Sequence, residues 1–374
     1  MLSESSRRSD FPGLAGIHYL NTAAENIPPT CVGEALQAYW RDKQLGMRGR
    51  DAHFEAFAAC REIASRTICL APEEVSFCSC SSEAYNLLAS GLGLSTNDEV
   101  IINDLDFPAG ATPWLTAPQP PRVRLWKARD GGLLVDDLVE LLTARTKLVQ
   151  LSLISFYNGH RVNWGQVVAA TRAHAPQAIL ALDVTQALGR VPVDARAADI
   201  VISSTHKWSL ALHGGCVVGI PSTSADRLTT HAGGWYHLEN AFGTDRFERA
   251  TLKKGADSFS VGMPNFAAIY ALNAALRYLA KIGIRAIGQH ADPLVAHLDS
   301  TLRELGFQPL CAYDPKLPTG IVAFQHARNE EINAALVAEG IHIMSHAGRL
   351  RVAVHGYNTD DDIQQLLDVL GRFA

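Results

Sequence analysis

What this 374-residue chain lacks narrows its chemistry first. It contains no run of roughly 18 unbroken apolar residues, so no membrane-spanning helix is expected. The opening stretch, Met1-Leu-Ser-Glu-Ser-Ser-Arg-Arg8, has no apolar centre of a secretory signal, and a cytoplasmic location is expected. No basic block stands out and the net charge is −5, which argues against a nucleic-acid partner. The seven cysteines, an odd number, show no CxxC spacing. Strand alternation would put Cys78 and Cys80 on one face without bridging them, so all are read as reduced thiols. Cysteines and histidines form no mixed ligand cluster, and no metal is expected. The glycine-rich phosphate loops of nucleotide binders follow none of the apolar runs, which ranks that function last.

What remains is an ordinary soluble composition, 47% hydrophobic and 19% charged. The length exceeds that of a usual single core, so two domains are expected. Strand and helix patterns alternate from 74 to 220, which predicts a largely parallel sheet covered on both faces. The stretch on which the rest turns is Ile200-Val-Ile-Ser-Ser-Thr-His-Lys-Trp208. Its β-branched run reads as a buried parallel strand, and His206 and Lys207 sit where that strand runs out. In open α/β sheets those carboxyl ends face the ligand crevice. A lysine there is able to act as a covalent amine, although a lone loop lysine is by default solvated. Ile179-Leu-Ala-Leu-Asp183 is a second apolar run with a carboxylate at its tip, and Gln186 follows three residues later.

Asp183, Gln186, His206 and Lys207, in that order on consecutive strands, resemble the class V aminotransferase branch of fold-type I pyridoxal-phosphate (PLP) enzymes. That branch includes cysteine desulfurases, kynureninase and isopenicillin-N epimerases. The resemblance runs from Asn21 to Thr359. It implies PLP bound to Lys207 as a Schiff base, with Asp183 opposite the pyridinium nitrogen. The implied fold is α/β: a mostly parallel seven-stranded sheet in a large domain, plus a smaller α+β C-terminal domain. The expected divisions are an N-terminal arm at 1–15, a PLP-binding domain at 16–283 and a small domain at 284–374. A homodimer with active sites near its interface is also implied.

The resemblance assigns further residues. Ser79-Cys-Ser-Ser-Glu-Ala84 is a hydroxyl-rich turn opening a helix, which suits an anion. The matching family turn grips the cofactor phosphate, which implies Ser81 and Ser82, with Glu83 at the family's glutamate. Phe107 stands where an aromatic ring stacks on the pyridine. Ser204 and His206 are expected to help hold the phosphate, and Gln186 to contact the cofactor. Arg351, six residues before Tyr357-Asn-Thr359, takes the place of the arginine that holds the substrate carboxylate, a role suited to its fork. Arg349 points the same way by alternation and either assists or competes. Asn21, with Thr22, is expected near the substrate. In the loop Ser155–Arg161, Gly159 matches a family glycine while Phe156 replaces an asparagine common in desulfurases, leaving Tyr157, Asn158 and Arg161 as local alternatives. Trp114 either walls the pocket or packs in the core. Met263 replaces a threonine in a segment that reaches the neighbouring subunit's phosphate.

The expected activity lies at Cα or Cβ of an amino acid, C–S lyase-like or epimerase-like. Desulfurases of the family carry a cysteine shortly before the carboxylate arginine, and Met344-Ser-His-Ala-Gly-Arg349 has none, which disfavours persulfide formation on the protein. His342 or His346 could protonate Cα or a leaving group, or be surface residues. The alternatives are a true aminotransferase and a non-catalytic PLP-binding protein, the latter opposed by the intact Lys207 and Asp183.

Overall fold

The computed structural model describes residues 1–374. The chain enters through a helix at Glu4–Asp10 and a two-residue strand, β1 (His18–Tyr19). The large sheet then comes from β2 (Val75–Cys78), β3 (Glu99–Asn103), β4 (Arg122–Trp126), β5 (Thr146–Ser152), β6 (Ile179–Asp183), β7 (Ile200–Ser204) and β8 (Cys216–Gly219). Their spatial order is β2-β8-β7-β6-β5-β3-β4. β8 is antiparallel to both of its neighbours, and the other pairings are parallel.

The apolar runs that mark these strands have a simple cause. Val149, Leu151, Leu180, Leu182 and Val201 enter a core on one face, while Leu148, Ile179, Ala181, Ile200 and Ile202 enter a core on the other. With both faces covered, the strand interiors are almost wholly apolar, and the buried Gln150 of β5 is bonded to the Trp114 indole. The helices Thr30–Gln44, Arg50–Thr67 and Phe266–Ile282 contribute Val32, Cys60, Ala64, Leu272 and Leu276 to the first core. The helices Ser81–Leu92 and Pro108–Thr116 contribute Leu88 and Trp114 to the second.

A smaller unit follows. β9 (Gln308–Pro309), β10 (Ile321–Gln325), β12 (Met344–His346) and β13 (Arg349–Ala353) form an antiparallel sheet in the order β12-β13-β10-β9, while β11 (Ile341–His342) pairs with β1. The helices Ile284–Glu304, Asn329–Ala338 and Asp360–Leu370 close its own core around Leu298, Phe324, Leu350 and Leu366. Residues 18–21 belong to this unit by contact. His18–Tyr19 pair with Ile341–His342, Leu20 lies in its core, and Asn21 bridges to Ala353.

The N-terminal residues are more than the polar arm that composition suggests. Met1, Phe11 and Leu14 are 4%, 1% and 4% exposed and pack with Leu210, Leu279, Ile287 and Tyr357. Polar residues between them cover the outside, so the scattered apolar ones show no run in the sequence. The Tyr357-Asn-Thr359 segment fastens the same region. The Tyr357 hydroxyl bonds to Thr22, Asn358 Nδ2 donates to Tyr19 O at 2.9 Å, and Thr359 caps the last helix in a reciprocal box with Asp362.

Candidate active site

β6 and β7 are parallel neighbours, with Asp183 opposite Ile202, so both deliver polar residues to the same end of the sheet. A pocket of about 150 Å³ opens there, and its lining includes Ser81, Tyr85, Phe107, Asp183, Ser204 and Lys207, together with Phe156, Thr185, Gln186 and His206. Lys207 Nζ lies 5.4 Å from the centre of the Phe107 ring, which meets Phe156 edge-on at 5.1 Å. Burial, with the Arg351 cation acting the same way, depresses the Lys207 amine from 10.5 to about 8 against the pull of Asp183 and Glu25.

Asp183 is held from two sides. Its Oδ2 accepts from the Tyr85 hydroxyl at 2.5 Å and its Oδ1 from the Thr185 N–H at 2.7 Å. Burial and the adjacent carboxylate push the Tyr85 phenol well above its usual value, so it remains a donor. Asp106 accepts from the Ser152 N–H at 2.9 Å, and burial raises its carboxyl to about 7, with the Asp183 charge acting the same way. His206 stacks on His213 with ring centres 4.0 Å apart, and His213 Nε2 stands 3.3 Å from the Glu25 carboxylate. Burial, then the Lys207 cation, then His213 lower His206 to about 4. At neutral pH its ring is uncharged and offers a single N–H.

The rest of the pocket is fixed by local bonds. Gln186 donates to Ala23 O at 3.0 Å and accepts from Trp208 Nε1 at 2.6 Å. The Ser204 N–H donates to Thr185 Oγ1 at 3.0 Å, and Ser204 lines the pocket. Ser81 opens the helix Ser81–Leu92 with no side-chain cap, and its first-turn amides keep their donors. Ser82 sits in the same turn but off the pocket wall, and Glu83 turns back to accept from the Ser79 N–H at 2.6 Å. Arg351 reaches the site from β13, 2% exposed, with Nη1 donating to Phe156 O at 2.6 Å. Its Nε and the Asn21 Oδ1 are buried with no hydrogen-bond partner, and neither residue is part of the Lys207 pocket lining.

Several residues singled out by sequence stay outside the pocket. Trp114 is a core residue of the helix Pro108–Thr116 whose Nε1 donates to Gln150 Oε1 at 3.2 Å. Asn158 Nδ2 donates to Gly131 O at 2.7 Å and Arg161 Nη1 to Pro318 O at 2.9 Å, so both brace loops. Tyr157 lies under the Arg349 guanidinium at 4.1 Å. His342, His346 and Met263 line no part of the Lys207 pocket. Conversely, sequence reasoning misses Tyr85, Thr185, Glu25, His213 and Asp106, and it notes Phe156 only as a departure from the family asparagine. Only Tyr85 carried a usable signal, standing four residues after Ser81 on one helix face.

The sequence matches the family model described as aminotransferase class-V over residues 18–366. The chain belongs to the class-V aminotransferase family. It is a PLP-dependent enzyme of fold-type I. Among curated relatives, this class-V chain is 26% identical over 365 residues to the Bacillus subtilis (strain 168) protein named uncharacterized aminotransferase YcbU, covering 96% of this chain and 95% of that one. It is also 26% identical over 405 residues to a protein of Methanothermobacter thermautotrophicus named probable cysteine desulfurase, covering 100% and 98%. Among solved structures it superposes on the cystine C–S lyase C-DES with a TM-score of 0.88 at 20% identity, over 96% of this chain and 99% of that one.

Proposed function

We propose that this enzyme breaks a carbon–sulfur bond at Cβ of an amino-acid substrate, with PLP carried on Lys207. The observation that carries the proposal is a pocket that pairs a depressed lysine amine with a fixed carboxylate while none of the seven cysteines lines it. Sulfur would then leave on the substrate's own fragment, not on a protein thiol. The names of one relative and one solved structure, a probable cysteine desulfurase and a cystine C–S lyase, point to the same bond.

The residues present suit the cofactor. Lys207 supplies the amine for its carbonyl, Asp183 the partner for its ring nitrogen, and Phe107 an apolar ring face. Ser81, Ser204 and His206, with the free amides of the Ser81–Leu92 helix, would supply donors for its phosphate, whereas the Ser82 side chain, off the pocket wall, would not. Bound there, PLP provides an electron sink for charge developing at Cα. The protein's own work is positional and acid–base. Lys207, near 8, is suited to take and return a proton at Cα close to neutral pH. Tyr85 and Thr185 keep Asp183 in place, Arg351 fixes the substrate carboxylate, and Asn21 lies beside it through its bridge to Ala353.

Incubation with S-substituted cysteines tests the activity. A C–S lyase releases thiol, pyruvate and ammonia in equal amounts. Keto-acid-dependent amine exchange without thiol would make the protein an aminotransferase, and loss of optical activity without thiol would make it an epimerase. We also infer a homodimer, because Phe242 and Phe247, 85% and 90% exposed, stand with Trp235 on the irregular segment 231–259. Sedimentation at micromolar concentration should give twice the chain mass, and a monomer would refute it. A cytoplasmic location is inferred from the absence of any disulfide among the cysteines, and cell fractionation decides it.

A further inference from the structure

β13 carries two arginines, Arg349 and Arg351, on the same side of the strand, and each is 2% exposed. Neither forms an ion pair with a carboxylate of the chain. Arg349 spends Nε on Tyr157 O at 3.0 Å and lies over the rings of Tyr157 and Phe156, 4.1 and 5.6 Å from their centres. Arg351 spends Nη1 on Phe156 O, and its Nε is buried without a partner. A guanidinium has five N–H donors, so most of the donors of both groups are uncommitted. Two adjacent buried cations with no counter-charge are costly, and an anionic ligand is the ordinary remedy.

The two arginines stand at different depths. Arg351 donates to the backbone of Phe156, which lines the Lys207 pocket, and its charge reaches the Lys207 amine, whereas Arg349 lies closest to the ring of Tyr157, which is outside that lining. A carboxylate next to the reacting carbon therefore meets Arg351, and Arg349 is left for a second anionic group further along. Phe156, which lines the Lys207 pocket and sits beneath the Arg349 guanidinium, joins the two places in one wall.

We propose that the substrate carries two acidic groups, with Arg351 holding the carboxylate at Cα and Arg349 selecting for a second acidic group on the side chain. This rests on the assignment of Lys207 as the reacting centre. The test is titration calorimetry of the full-length holoenzyme with unreactive acids: malonate, succinate, glutarate and adipate against the monocarboxylates of matching length. At the best chain length the diacid should bind roughly tenfold or more tightly than its monoacid, the scale of one charge-assisted hydrogen-bonded pair. Arg349→Gln should abolish that preference while leaving monoacid binding within about twofold. Equal binding of diacids and monoacids at every length overturns the proposal, as does a preference that survives Arg349→Gln. Should that variant fail to fold, Arg349→Lys keeps the charge but loses the fork, and an undiminished preference in it overturns the proposal equally. A colourless preparation that cannot be loaded with PLP would refute the cofactor assignment separately, because the calorimetric preference reports the arginines directly.

Discussion

Replacing Lys207 with methionine should make the cofactor-free protein more stable at neutral pH while abolishing its chemistry. The amine is depressed from 10.5 to about 8, chiefly by burial, so the folded chain binds this proton less tightly than the unfolded chain does. The folded state is fully penalised below pH 8, and the penalty fades as pH rises from 8 to 10.5, where the unfolded chain also loses the proton. The depression corresponds to an upper value of about 3 kcal/mol, and solvent screening at the pocket mouth trims it to about 2–3 kcal/mol. Methionine preserves the length and apolar stem without the charge. Urea unfolding of the cofactor-free proteins, followed by tryptophan fluorescence at pH 7, 8.5 and 10, should show Lys207→Met ahead by that amount at pH 7. The gap should shrink to below about 1 kcal/mol at pH 10. A variant no more stable than the parent at pH 7, or a gap that does not change with pH, would refute the placement of Lys207 as a desolvated amine.

Two further perturbations follow from the same geometry. Asp183→Ala should leave the circular dichroism spectrum unchanged and lower turnover by about 10²- to 10³-fold, the scale of losing a fixed electrostatic partner, as measured by product release. Gly189→Ala should destabilise the fold by about 3 kcal/mol or more, read as a lower midpoint in urea. Its φ is +101°, and an added Cβ would meet Trp208 O at 2.2 Å, beside the lysine.

The sheet was legible because its strands are buried on both faces, and Ile179–Asp183 and Ile200–Ser204 therefore read as apolar runs with polar ends. Their consecutive order, parallel pairing and shared end place Asp183 and Lys207 in the lining of one pocket. The supports of that pair were not legible. Tyr85 and Thr185 fix Asp183, and Glu25 with His213 flanks His206, through contacts that no local spacing encodes. The N-terminal residues misled by composition, since Met1, Phe11 and Leu14 are too dispersed among polar residues to show a period. β1 is two residues long, and its pairing with β11 joins positions more than 300 residues apart, which no sequence window spans. The loop after Ser155 offered three candidate side chains, Tyr157, Asn158 and Arg161, yet the backbone path brings Phe156 to the pocket while Asn158 and Arg161 brace neighbouring loops.

The most direct test of the central claim is borohydride reduction of the purified PLP-loaded enzyme, followed by mass spectrometry of its peptides. The account predicts that the visible absorption band disappears on reduction and that one peptide, the one containing Lys207, gains the mass of the reduced cofactor. The adduct should be absent from Lys207→Ala. Label on another lysine, or a PLP-supplemented protein that stays colourless and unlabelled, would contradict the assignment of Lys207 as the cofactor-bearing residue.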